Sequence, residues 1–214
     1  MHTAVEIRGY RESSAGTELV VSVPDRIGGL IKKKEIRSAQ LHLDDGRHIS
    51  AEQRKKAYAT MRDISDYTGY LPEEQKQWLK YLYICRTGRE YIHLSDCSMD
   101  EAREFINVIL DYALENGIPL SENALERTDD INRYLYACLL YKKCAVCGRP
   151  GEIHHEDAIG MGNDRRQVDD SGYRKICLCR LHHTMAHQIG AVSFRQMYRV
   201  YGIIFTPEGR AAAG

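Results

Sequence analysis

The chain has 214 residues, 28% of them charged and 43% hydrophobic, and its 30 basic side chains balance 30 acidic ones to a formal net charge of zero. That length supports a sizeable core, in one large domain or two small ones, and the composition excludes a disordered chain. The amino-terminal "MHTAVEIRGYRESS" lacks an apolar h-region and the longest apolar run, "LYACLLY" from Leu135 to Tyr141, is too short to span a bilayer, so a cytoplasmic protein without membrane partners is expected.

In chain order, "TAVEIRGY", "ELVVSV" and "IRSAQLHL" have β-type composition and predict three short strands within the first 45 residues, with a turn at "PDRIGG". Ser50 and Gln53 form a capping box that opens a helix over "ISAEQRKKAYATMRDISDY". A second helix starts at Pro72 and stops at Gly88, with Trp78, Leu79, Leu82 and Tyr83 on one face. "YIHL", from Tyr91 to Leu94, predicts a returning strand. Ser98 and Glu101 cap a third helix that ends at Gly117. The polar "IPLSENALERTDD" then breaks the pattern, a domain boundary is expected near residue 128, and "INRYLYACLLYKK" predicts a further helix.

Charge is unevenly distributed. Residues 1–140 carry 19 Lys and Arg against 23 Asp and Glu, and residues 141–214 carry 11 against 7, so net charge changes from −4 to +4. The basic part also holds most of the seven cysteines, Cys144, Cys147, Cys177 and Cys179, beside histidines; in a reducing compartment this favours metal over disulfides. A basic region of this kind fits a phosphate backbone as partner.

The succession "IRSAQLHLDDGRHISAEQRKKAYATMRDIS", a tryptophan-bearing helix and "IHLSDCSMDEAREFINVILDYALENGIPLS" resembles the phage Orf-type recombination mediators. The resemblance covers roughly residues 35–121 and implies a mixed α/β domain, over residues 1–128, that binds single-stranded DNA in a bacterial host cytoplasm. Its implied partners are single-stranded or branched DNA, a single-stranded-DNA-binding protein and a second copy in a homodimer. Two basic stretches are the implied DNA contacts, Lys32, Lys33 and Lys34 in "IKKKEIR" and Arg54, Lys55 and Lys56 after Gln53; both also fit a solvated helix face.

Farther on, Cys144-x-x-Cys147 and Cys179-x-x-His182 give two ligand pairs whose spacing closes a Cys3His tetrahedron, the usual form of structural zinc. His183 and His187, four apart, share a helix face and His182 does not. On an extended segment His154 and His155 diverge, so one of them joins His183 and His187. Three histidines leave an open coordination position suited to catalysis, and the remaining histidine has a pKa suited to accepting a proton.

With "CAVCGRPGEIHHEDAIG" and "CLCRLHHTMAH", residues 144–187 resemble the phage-type HNH endonucleases, whose ββα-metal motif pairs histidines on a hairpin with a final histidine on a helix. The resemblance implies an α+β chain in which a small zinc-stapled ββα-metal (HNH) domain, residues 129–214, follows the first domain. It implies His154, His183 and His187 as ligands of a catalytic divalent ion, Mg2+, Mn2+ or Zn2+, and His155 as general base. The family's middle asparagine falls at Arg174, so Asn163 replaces it or Arg174 contacts phosphate instead, with Lys175 as a further DNA contact. The activity implied is hydrolysis of DNA recombination or replication intermediates; a non-catalytic, zinc-stabilised DNA-binding accessory protein is the alternative. Cys85, Cys97, Cys138 and Cys177 are expected to be packing thiols, and the helix over "SFRQMYRVYGI" a packing helix.

Overall fold

A computed structural model describes residues 5–14, 16–39, 41, 46–157 and 171–206. The chain divides into two compact units, residues 1–43 and 44–214. In the first, β1 (Glu6–Ser13) and β2 (Gly16–Ser22) form an antiparallel hairpin and α1 (Gly28–Lys34) follows. A bulge between Ile7 and Gly9 shifts the register, so Ile7 (opposite Val21) and Tyr10 (opposite Leu19) reach the same face although they are three residues apart. No described residue of this unit is buried.

One expectation changes here: no strand occurs at residues 36–39 or 41, the described part of the expected third strand. The chain bends at Pro24 and Asp25 as "PDRIGG" suggests, and α1 starts at the end of that stretch. Lys32, Lys33 and Lys34 occupy the last turn of α1, where their charge meets the unpaired carbonyls of the helix end, and Glu35 closes it in the left-handed region (φ 48°).

The second unit begins with α2 (Ala51–Thr68), α3 (Pro72–Thr87) and α4 (Met99–Glu115). Both expected capping boxes form: Ser50 Oγ accepts from the Gln53 amide while the Gln53 side chain accepts from the Ser50 amide, and Ser98 and Glu101 repeat the exchange. α3 starts on Pro72 and is closed by Gly88 at φ 69°. Leu79 and Tyr83 point into the core, but Trp78 is 44% exposed and lies 4.9 Å from the Tyr112 ring, so the expected four-residue face is split. Residues 91–94 form no strand. Ile92 and Leu94 are buried in an irregular crossing, and Arg54 donates to the carbonyls of Leu94 and Ser95, both at 3.0 Å, in place of a neighbouring strand.

α5 (Ala124–Arg127) and α6 (Ile131–Leu140) follow, α6 capped by the Asp130 carboxylate on the Arg133 amide. β3 (Glu152–His155), β4 (Arg174–Leu178) and β5 (Ile203–Ile204) make an antiparallel sheet in the order β3-β4-β5. Between the last two strands lies α7 (Arg180–Tyr198), broken at Gly190, whose φ of 79° and ψ of 160° are not helical. The expected break near residue 128 falls inside the second unit. α6 packs on α4 and on β4, and one cluster of buried apolar side chains runs from Ile49 through Phe105, Ile109, Leu135 and Leu178 to Phe205. Among the described residues no helix is long and apolar enough to cross a membrane.

Candidate functional site

The tight turn after α6 builds the first cluster. The Gly148 amide donates to the Cys144 carbonyl at 2.8 Å, with Gly148 at φ 68°, and the Ala145 amide donates to the Cys177 carbonyl on β4 at 2.9 Å. Cys179 is the N-cap of α7 and His182 sits in its first turn. Ligand atoms of Cys144, Cys147, Cys179 and His182 all lie within 4.8 Å of one another. The Sγ atoms of Cys147 and Cys179 are 3.7 Å apart, and His182 Nδ1 is 3.4 Å from Cys144 Sγ and 3.3 Å from Cys179 Sγ. With metal–sulfur bonds of about 2.3 Å, a regular tetrahedron has edges of roughly 3.8 Å between sulfurs, so the four residues fit a zinc ion. Burial raises the Cys144 thiol to about 12 and lowers His182. At Cys147 burial acts upward, yet hydrogen bonds from the Arg149 side chain and backbone hold the thiol below its ordinary value. Cys177 is not part of this set; it is fully buried, burial raises it to about 12, and a Cβ at Gly151 would lie 2.9 Å from its Sγ.

The second cluster joins the hairpin to α7. His154, His183 and His187 place ligand atoms within 4.8 Å of one another. His183 Nε2 and His187 Nε2 are 3.1 Å apart, and the His154 ring packs edge-on against both, with centroids at 4.7 and 4.8 Å. His154 Nδ1 is a buried nitrogen with no hydrogen-bond partner. Burial first, and then its histidine neighbours, lower His154 from 6.5 to about 4, so at neutral pH it presents the uncharged imidazole that a metal requires. An orphaned buried nitrogen beside two other imidazoles fits a divalent ion. His155, half-buried, is outside the cluster: it stands opposite Lys175 on the neighbouring strand, on the other face of β3 from His154.

A family model described as "Putative HNHc nuclease" matches residues 21–210. The chain belongs to that family. No curated protein and no solved structure matches it.

Several residues around the HNHc cluster do not stand as expected. Arg174 is committed to an acid: its Nη2 and Nε donate to Asp157 Oδ1 at 2.6 and 3.1 Å and its amide donates to Asp157 Oδ2 at 2.7 Å. The Arg174 guanidinium holds the Asp157 carboxyl below its usual range. Lys175, expected as a further DNA contact, is 5% exposed and stands opposite His155 and Ile203 on the neighbouring strands. Arg54 serves the carbonyls of Leu94 and Ser95, and Lys56 Nζ donates to Asp129 Oδ1 at 2.6 Å, so of that basic trio only Lys55 stands outside such pairing in the described contacts. Asn163 lies outside the described residues.

Glu152 is the residue that sequence reasoning missed. Its Oε1 accepts from His183 Nδ1 at 2.8 Å, which turns the other ring nitrogen of His183 toward His187. The signal was present: two residues before His154 on a strand, Glu152 shares its face.

Proposed function

We propose that the chain is a metal-dependent DNA endonuclease of phage or prophage origin that hydrolyses phosphodiester bonds in recombination or replication intermediates. One observation carries this reading: three imidazoles from a β-hairpin and a helix converge on one point, and a fourth, His155, follows His154 on the hairpin strand. His154, His183 and His187 would hold the ion, Mg2+, Mn2+ or Zn2+, and Glu152 would fix the tautomer of His183. Bound there, a divalent ion supplies Lewis-acid stabilisation of charge on the scissile phosphate and the departing oxygen. His155 would accept the proton of the attacking water. Cys144, Cys147, Cys179 and His182 would hold zinc structurally, tying the turn after α6 to the start of α7 and so fixing His183 and His187 against β3.

The Orf-like resemblance supports a second element of the reading, contact with single-stranded DNA through Lys32, Lys33 and Lys34 of α1 and Lys55 of α2, all exposed. Replacing the three lysines of α1 with alanine in the full chain tests it: weaker binding and a shallower salt dependence are expected, and unchanged binding to single strands rejects it. Partners of the same reading are a single-stranded-DNA-binding protein and a second copy of the chain.

Cleavage assays on single-stranded, duplex and branched DNA with magnesium, manganese or zinc test the nuclease itself. Cutting that depends on added metal and disappears in His183→Ala is expected. Absence of cutting with all three ions would leave the alternative, a non-catalytic DNA-binding accessory protein, which has one observation in its favour: Arg174, where the family asparagine falls, is locked to Asp157.

A further inference from the structure

The histidine cluster occupies one stripe of α7, and the next stripe is open. In a helix each residue advances about 100°, so Thr184 follows His183 and Gln188 follows His187 by that angle, with Arg180 one turn earlier on the same side. Arg180, Thr184 and Gln188 line an open groove together with Leu181 and Met185 of α7 and with Arg149, Pro150 and Cys179 from the zinc-binding turn.

Three observations identify what this groove would take. First, among the described residues its only charged lining side chains are Arg149 and Arg180, and no described carboxylate lines it. The Arg180 side chain is 91% exposed, and the acid it meets among the described residues, Glu152, is a loose 3.9 Å away. Second, the cations expected beside the histidines are otherwise engaged: Arg174 with Asp157, and Lys175 buried. Third, the groove adjoins the metal-binding stripe through Glu152, which contacts both His183 and Arg180. Arg149 is itself aimed by the zinc-binding turn, since its Nε donates to Cys147 Sγ at 3.4 Å. Pro150, Leu181 and Met185 give the floor an apolar character that accepts a sugar or base face, while Thr184 and Gln188 offer hydrogen bonds to phosphate oxygens.

We propose that this groove binds the phosphodiester backbone of the DNA strand flanking the cleaved phosphate, with Arg180 and Arg149 as its phosphate contacts. The inference rests on the nuclease reading above. It assigns the zinc-binding turn a second task, presenting a cation to the substrate as well as stapling the helix.

Binding of the full chain to duplex and single-stranded DNA, measured by fluorescence anisotropy over a range of salt without added divalent ion, tests the groove apart from catalysis. Arg180→Ala and Thr184→Glu should each weaken binding by roughly five- to twentyfold at fixed salt, uniformly across sequences, and the log–log salt slope should become shallower by about one for each arginine removed. Arg103→Ala, which removes a surface guanidinium on α4, should change little. Arg149→Ala is read only if the protein keeps its zinc, because Arg149 touches a ligand; Arg180→Ala and Thr184→Glu carry the test regardless. If the wild-type chain binds DNA and both of these variants bind it equally well with the same slope, the groove assignment is overturned while the nuclease reading stands. If the wild-type chain binds no DNA at low salt, the groove assignment is overturned, and the cleavage assay with added metal decides the nuclease reading separately.

Discussion

Replacing Glu152 separates the geometry of the metal site from its mere composition. The carboxylate is half-exposed, with 53% of its side-chain surface accessible, so its ionic contact with His183 is screened and should contribute well under about 1 kcal/mol to folding. Its effect on the ion should be larger. A carboxylate accepting from Nδ1 fixes which ring nitrogen of His183 is left for coordination, and removal of such outer partners typically costs about 10- to 100-fold in metal affinity or activity, or roughly 1.4–2.7 kcal/mol. Glu152→Ala should therefore weaken the catalytic ion by that factor, with thermal stability and zinc content almost unchanged. Glu152→Gln, which retains an oxygen acceptor without the charge, should fall between it and the wild type. Equilibrium dialysis or calorimetry with manganese, paired with zinc analysis of the same samples, measures both quantities. If Glu152→Ala binds manganese as tightly as the wild type and cuts as fast, the 2.8 Å contact does not orient His183 and the reasoning is wrong.

Other expectations concern the same clusters. His155→Ala should reduce cleavage by about 10²- to 10⁴-fold while leaving both metal sites and DNA affinity nearly intact, whereas His183→Ala should lose the catalytic ion; the reverse behaviour of His154→Ala and His155→Ala in metal analysis would exchange their roles. Protein purified without added metal should contain one tightly held zinc, which Cys179→Ser or a strong chelator removes together with the fold around α7, and less than about half an equivalent of zinc in a well-folded sample rejects the Cys3His site. In acid, the folded chain resists protonating His154 until about pH 4, while the unfolded chain takes that proton near 6.5. Its contribution is thus complete above pH 6.5 and is lost as pH falls toward 4. Urea midpoints of protein that keeps its structural zinc but carries no ion at the histidine cluster should show the wild type losing up to about 3 kcal/mol more than His154→Leu across that window, and equal losses would contradict the burial argument. Gly151→Ala should destabilise the hairpin by about 1–3 kcal/mol, because the new Cβ would press within 2.9 Å of the Leu178 backbone as well as Cys177; an unchanged melting temperature would show that β3 can shift freely.

What the sequence determined by itself was whatever depends on neighbours within a turn or two. The capping boxes at Ser50 and Ser98, proline opening and glycine closing α3, the cysteine–histidine pairs at the turn after α6 and the start of α7, and the stripe of His183 and His187 are set by spacing along one element, where geometry follows from 1.5 Å and 100° per residue. Tertiary structure decided what depends on partners distant in the chain. Which of two adjacent histidines reaches α7 follows from the pairing of β3 with β4, strands joined through a long intervening segment, and a one-residue slip would have exchanged them. Ile92 and Leu94 have strand-like composition, but a strand exists only where another offers a ladder; Arg54 satisfies the carbonyls there instead. The same holds for charge. Arg54, Lys56, Arg174 and Lys175 were equivalent basic letters in the sequence, and Leu94, Asp129, Asp157 and burial took them for internal use, while Arg180, equally plain in sequence, was left facing solvent beside the histidines. A cation's availability depends on whether an acid or a carbonyl, brought near by folding, has already desolvated it.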